Sequence, residues 1–430
     1  AWLGVQWDEG PDVGGPHGPY KQSERRELYR EHAELLVEKG FAYYAYDTPE
    51  ELSAERDAAE SGSKSYGYDR RFRDMDEAAL AEYRERGIAP VIRFRGPLEG
   101  TTEFEDVVLG RIKKKNKDII ADPVLLKSDG YPTYHLANVV DDHYMDITHI
   151  LRAQEWIPSA SLHVLLYEAF GWEPPVFCHL PMVMGKDGQK LSKRHGATSA
   201  LEFRRQGYLP GALMNYVSLL GWSYDDSREF FSREDLERVF SIEKINKAPA
   251  VFDYKKLDWF NGSYIRELED AELEELLAPY LEEAGVVDDP PTAEQSRLLA
   301  TAVPLVKERL KKLSDVTELL RFLFKEIENH DPESLIPKRG DATSAATYLE
   351  EAREVLNKHR DEDDEAIEEA FRARAEELGA KLGDLLTPVR VAVTGSRVSP
   401  PLFGSIRLVG FNTALERIDT AISTLRGSHG

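Results

Sequence analysis

Lys190 and Lys193 stand three residues apart in the stretch Lys190-Leu191-Ser192-Lys193-Arg194-His195-Gly196, which follows an apolar run from Val176 to Met184 and a Gly185-Lys186-Asp187-Gly188 turn. Two ammonium groups on a short polar loop at a strand end suit a triphosphate, because each is a mobile point charge that follows a phosphate as charge develops. A lysine pair on a loop is ordinarily just solvated. The strand and turn that precede this one give it specificity.

Such a loop needs folded elements to hold it over a ligand. Over 131–184 an apolar helix (133–140) runs into Asp141-Asp142-His143; then come a buried strand (147–151), a helix (159–170) closed by Gly171, and a strand at 176–184. Strands alternating with helices imply parallel crossovers and a doubly wound sheet, with ligands at the carboxyl ends of its strands. Arg152 and Lys190 both fall just beyond such ends. Upstream, the glycines and prolines between 10 and 19 forbid a helix, and one is expected over 23–39 with Gly40 as its stop. Strands are expected at 41–46, 91–94, 106–109 and 118–126, with charge-rich helix over 49–86, so about 28–130 reads as an inserted α+β domain. From about 197 onward the pattern is almost wholly helical, with Pro-rich joints at 288–291 and 332–337. The fold class is therefore α/β plus all-α.

A length of 430 residues suits roughly two to four domains, and 41% hydrophobic with 31% charged residues is globular. No run of 18 or more apolar residues exists, so nothing is expected to span a membrane. The single cysteine, Cys178, excludes an internal disulfide and a multi-cysteine zinc site, and fits a reducing cytoplasm. The start, Ala1-Trp2-Leu3-Gly4-Val5, has neither an initiator methionine nor a signal-peptide pattern and reads as the interior of a longer reading frame. A net charge of −23 argues, as a sum, against a nucleic-acid binder, but local potential can differ in sign. Basic clusters lie at 25–26, 111–117, 193–194, 204–205 and 307–312. Those at 204 and 307 read as solvated helix faces. The run at 111–117 stays open, since three consecutive lysines between strand-like runs make a poor structural element.

The lysine loop resembles the KMSKS signature of class I aminoacyl-tRNA synthetases, over Lys190, Leu191, Ser192, Lys193 and Arg194. Leu191 replaces the usual methionine, and Arg194 with His195 replaces the final serine. Two further blocks precede it: Gly130-Tyr131-Pro132-Thr133-Tyr134-His135-Leu136-Ala137-Asn138-Val139-Val140-Asp141-Asp142-His143, and Ile150-Leu151-Arg152-Ala153-Gln154-Glu155-Trp156, before His179-Leu180-Pro181. In this order and spacing they resemble the bacterial glutamyl-tRNA synthetases. The likeness extends to Asp8-Glu9-Gly10-Pro11, Gln22-Ser23-Glu24-Arg25, Leu219-Leu220-Gly221-Trp222-Ser223, Val251-Phe252-Asp253 and Thr394-Gly395-Ser396, hence over essentially the whole chain.

That resemblance implies a Rossmann-like class I catalytic domain with activation of L-glutamate by ATP and transfer to tRNA(Glu). Tyr134, Asn138 and Arg152 would hold glutamate; Glu155, Trp156 and Val183 would lie beside the nucleotide; Lys190 and Lys193 would be catalytic, stabilising the transition state at the α-phosphate. The chemistry of these residue types agrees: a guanidinium captures a carboxylate bidentately, and Tyr134 and Asn138, four apart, share a helix face. A carboxylate already ionised at neutral pH needs no base, so His135, His143 and His179 read as structural hydrogen-bonders, with Mg²⁺ arriving on ATP and no protein-bound metal or zinc. The implied domains are 1–27 with 131–185 (catalytic), 28–130 (inserted, meeting the acceptor end), 186–269 (KMSKS loop and stem contact), and 270–327 and 328–430 (helical, anticodon-binding). A helical tail favours the bacterial glutamyl type over glutaminyl enzymes with β-barrels, and the acidic residues 361–365 are expected to face away from RNA. The resemblance also implies a cytoplasmic monomer. A His-x-Gly-His motif is absent, so the 430 residues are expected to be an N-terminally truncated form with little activity alone; the competing expectation is a non-catalytic tRNA-binding relative.

Overall fold

The computed structural model describes residues 2–61, 67–327 and 329–427. The chain divides into two units, Ala1–Leu191 with Ser218–Phe252, and Ser192–Val217 with Asp253–Gly430.

The first unit runs α1 (Arg26–Glu38), β1 (Ala42–Ala45), α2 (Pro49–Ser61), α3 (Glu77–Glu85), β2 (Val91–Phe94), β3 (Thr101–Asp106), β4 (Gly110–Lys115), β5 (Val124–Leu126), α4 (Tyr134–Tyr144), β6 (His149–Ala153), α5 (Ile157–Phe170), β7 (Val176–Leu180) and β8 (Val183–Met184), and after resuming at Ser218 adds α6 (Arg233–Val239) and β9 (Ala250–Val251). Two main sheets form, ordered β1-β2-β5 and β4-β3-β7-β6. Helix α5 is shared between their cores. Leu162 and Leu166 pack in a cluster with Leu36, Phe94 and Leu125, while Ala160 and Val164 pack with Phe104 and Phe177. A helix buried on opposite faces needs apolar residues nearly all round, which is why this segment carries no amphipathic stripe. Gly171, left-handed at φ +80°, ends it. The α5 crossover joins parallel β6 and β7, in register from His149 opposite Val176 to Ala153 opposite Leu180.

Several expected strands differ, each for a local reason. Residues 106–109 turn: Asp106 Oδ1 accepts from the backbone N–H of Val108 (3.0 Å) and Leu109 (2.9 Å), closing a hairpin between β3 and β4. The lysine run is consequently strand β4, its charge accommodated by Glu103, which faces Lys113 at 2.7 Å. As an edge strand it benefits from lysines, which discourage pairing with another chain. This hairpin also joins β7, with Asp106 beside Phe177 in parallel pairing, so a piece of the 28–130 segment extends the sheet that carries Arg152. Strand β6 is an exposed edge, with Leu151 46% accessible, where a buried strand was expected. Pro181 interrupts the apolar run, and β8 beyond it pairs with β9. Of 118–126 only Val124–Leu126 is strand; of the helical stretch 49–86, residues 62–66 lie outside the described residues.

The described residues of the second unit contain helices and no strand. Leu273, Leu277, Leu281, Val303 and Leu320 fill one core; Leu349, Phe371, Leu385, Ile406 and Ile418 fill another. The acidic run is a helix start: Asp363 accepts from Ala366 N at 2.9 Å to cap Asp364–Glu377, and Arg407 pairs with Asp364. Carboxylates are favourable at that pole of the helix dipole.

Candidate functional site

Arg152 stands near the carboxyl end of β6, in register with His179 on β7. Its Nε donates to His179 Nε2 at 3.2 Å and its Nη1 to the Tyr134 hydroxyl at 3.4 Å, while Nη2 is buried without a partner. Tyr134 opens α4. One turn on, Asn138 donates from Nδ2 to Asp142 Oδ2 at 2.9 Å and keeps a buried, unpartnered Oδ1. From α5, His163 Nε2 meets His135 Nδ1 at 3.1 Å, and His163 Nδ1 and the Tyr167 hydroxyl are likewise buried without partners. Leaving buried polar atoms unsatisfied costs free energy unless a ligand or water meets them, so their concentration around α4, α5 and β6 marks a polar binding site.

The electrostatics leave the histidines there uncharged. Burial, reinforced by the Arg152 charge, pushes His135 and His179 below the ordinary imidazole value and His163 to about 2, so all three are neutral at pH 7. Burial, then the neighbouring Asp141, raises the Asp142 carboxyl to about 6 against the pull of Arg152. At pH 7 the guanidinium of Arg152 therefore lies among three neutral imidazoles, with the Asp142 carboxyl, at about 6, already largely ionised nearby. Asp141 is held by α1 and the residue before it: Tyr29 donates to it at 2.7 Å, and Arg25 Nε lies at 2.8 Å.

A second set of residues continues from Tyr134. Its ring lies 4.9 Å from that of Trp156, which shares with Glu155 the short turn Gln154–Trp156 after β6. The Lys186–Gly188 turn forms a tight hairpin. Gly185 N donates to Gln189 O at 2.8 Å and Leu191 N to Val183 O at 2.9 Å, bringing Lys190 back beside Met184. Gly188 supplies the positive φ of +73°. Lys190 pairs with Glu155, both side chains about half exposed. Arg152, Tyr134, Trp156, Glu155, Lys190 and Val183 thus form one connected series, with Asn138 a helical turn away. The division of the chain falls between Leu191 and Ser192, so Lys193 and Arg194 belong to the second unit, in the turn Lys193–His195. Ser192 N there donates to His195 Nδ1 at 3.0 Å.

Three contributors escape sequence reading: His163, hidden in a nearly all-apolar helix; Asp142, whose raised carboxyl reflects burial and the neighbouring Asp141; and Asp106, which reaches His179 only through the sheet. Among the described residues, no three His, Cys, Asp or Glu side chains gather as a metal cage.

Residues 1–259 match the family of class I tRNA synthetases (E and Q), catalytic domain, and residues 272–422 match an anticodon binding domain. The chain is 52% identical to the glutamate–tRNA ligase of Treponema denticola, across 98% of this chain and 87% of the relative. It is 44% identical to that of Roseiflexus castenholzii across 100% and 85%. A crystal structure of a glutamate tRNA ligase from Elizabethkingia meningosepticum, in complex with its amino acid, superposes with a TM-score of 0.80 at 33% identity, covering 99% of this chain and 88% of that one. With its family match extending over more than half its length and these relatives alike along nearly all of it, the chain belongs to the class I tRNA synthetases that serve glutamate and glutamine.

Proposed function

We propose that this chain activates L-glutamate with ATP and transfers it to the 3′ end of tRNA(Glu), as a cytoplasmic monomer. The glutamate α-carboxylate attacks the α-phosphorus of ATP and pyrophosphate leaves; a ribose hydroxyl of the terminal tRNA adenosine then attacks the acyl carbon of the mixed anhydride and AMP leaves. Arg152, Tyr134 and Asn138 hold the amino acid. Glu155, Trp156 and Val183 flank the nucleotide, and Lys190 and Lys193 neutralise charge that builds on the phosphates, whose Mg²⁺ enters with ATP. Residues 28–130 and 186–269 meet the acceptor end and stem, and the helices of 270–430 meet the anticodon.

One observation carries this reading: a partly buried guanidinium whose buried Nη2 has no partner, near an amide with an unpartnered Oδ1, among three neutral imidazoles. The guanidinium nitrogen matches a carboxylate, with Arg152 as the charge that attracts it, whereas the amide oxygen matches a donor on the same ligand. The test is glutamylation of purified tRNA(Glu) by the complete gene product with radiolabelled glutamate. Label accumulating in tRNA, with ATP consumed to AMP, is the expected result; tRNA binding without glutamate-dependent pyrophosphate exchange would overturn the reading in favour of a non-catalytic role.

A further inference from the structure

Asp106 and His179 sit behind Arg152 and are both fully buried, with no accessible side-chain surface. Asp106 Oδ2 accepts from His179 Nδ1 at 2.7 Å and from the His179 backbone N–H at 3.0 Å. Its Oδ1 is occupied by the N–H groups of Val108 and Leu109. All of its near partners are donors, so the carboxylate fixes the imidazole in one tautomer, with the proton on Nδ1 and the lone pair on Nε2. That lone pair receives Arg152 Nε–H at 3.2 Å. A proton on Nε2 would place a donor against a guanidinium that has only donors.

We propose that Asp106 and His179 are positioning residues for glutamate recognition: together they hold the Arg152 guanidinium in the one orientation that presents Nη2 to the substrate carboxylate. The alternative, a peg that merely fastens the β3–β4 hairpin to β7, accounts for the Asp106 contacts with Val108, Leu109 and the His179 backbone. It gives no reason for the imidazole to lie between the carboxylate and Arg152. Asp106 and His179 are fully buried and Arg152 is partly so; Nε and Nη1 of Arg152 are committed to His179 and to the exposed Tyr134, so only one nitrogen remains for the ligand.

The proposal rests on the assignment of Arg152 to glutamate, and the variants separate the two. In Asp106→Asn the amide keeps the shape, but its NH₂ facing Nδ1 favours the opposite tautomer, which turns Nε2–H toward Arg152. Glutamate affinity by calorimetry should fall about 10–100-fold, as expected for losing alignment of a charged hydrogen bond, with ATP affinity unchanged. His179→Gln restores an acceptor oxygen near the Nε2 position and should recover part of that loss. Nitrogen-15 NMR of the histidines should show His179 protonated on Nδ1 in the parent and not in Asp106→Asn, which verifies the tautomer change, while the loss of glutamate affinity with ATP affinity unchanged is the readout that a simple peg would not produce. If Arg152→Ala leaves glutamate affinity intact, the assignment of Arg152 has failed and this proposal with it. If Arg152→Ala abolishes binding while Asp106→Asn, still folded by its melting curve, binds glutamate within twofold of the parent, positioning by Asp106 and His179 is overturned.

Discussion

The two ends of the candidate site are built on opposite principles. Around Arg152, which is itself partly buried, the candidate groups are cross-linked by hydrogen bonds and backed by the buried Asp106, His179 and His163 from β3, β7 and α5. Around Lys190 the side chains are about half exposed, and the ion pair from Lys190 to Glu155 lies in solvent. Burial makes a cation selective, because it has few alternative partners and every misfit is left unsatisfied. Exposure makes a cation adaptable: a lysine on a hairpin follows a polyphosphate through its changes of charge at little cost. The contrast suits a fixed amino acid at one end and a reacting triphosphate at the other.

The comparison breaks most sharply at Lys193. Lys193→Ala should lower kcat about 100-fold while the ATP KM moves only a few-fold, if the ammonium acts on the transition state rather than on bound ATP. Pyrophosphate exchange at saturating ATP measures this, and a large KM change with kcat intact would assign the lysine to ground-state binding instead. Next in size is Arg152→Lys, which keeps the charge but loses the planar fork. Glutamate affinity should fall about tenfold, read by calorimetry; full retention would mean that charge alone suffices and that the buried scaffold is incidental.

A smaller effect sharpens the contrast through pH. Asp142 keeps its proton to about 6 in the folded chain against an ordinary 3.8. Between those values the folded state binds more protons than the unfolded one, so stability falls as pH rises, and the penalty is complete above 6. Asp142→Asn should therefore raise stability at pH 8 by about 1–2 kcal/mol and leave it unchanged at pH 3.5. Thermal melts at the two pH values check the sign, and equal stabilisation at both would contradict it. The smallest effect belongs to the exposed end. Glu155→Gln removes a solvent-facing ion pair, so the melting curve should shift by less than about 0.5 kcal/mol in stability.

What the sequence made legible follows the same division. The Lys186–Gly188 hairpin, the α5 crossover with its Gly171 stop, and the helical second half all rest on local signals: turn glycines, apolar runs and leucine spacing. Tyr134, Asn138 and Arg152 were reached through motif order; Arg152 bonds Tyr134, and Asn138, one turn along the same helix, bonds Asp142. Residues acting across the sheet were not legible. Asp106 ends a strand whose lysine-rich partner reads as an unlikely strand, because the carboxylate of Glu103 that balances it lies on the neighbouring strand. His163 looks like a stray polar residue in an apolar helix; only the packing of α5 against α4 shows that it meets His135. The separation of Lys190 from Lys193 between units also has no local mark, since both belong to one short loop.

The central claim is that the hydrogen-bonded, partly buried guanidinium selects the amino acid while the exposed lysines act on the phosphates. Calorimetric titration of L-glutamate into the parent, Arg152→Ala and Lys193→Ala proteins tests it most directly. The account expects Arg152→Ala to lose at least about 100-fold in glutamate affinity, and Lys193→Ala to bind glutamate as the parent does. Equal losses in the two variants, or an unimpaired Arg152→Ala, would contradict it.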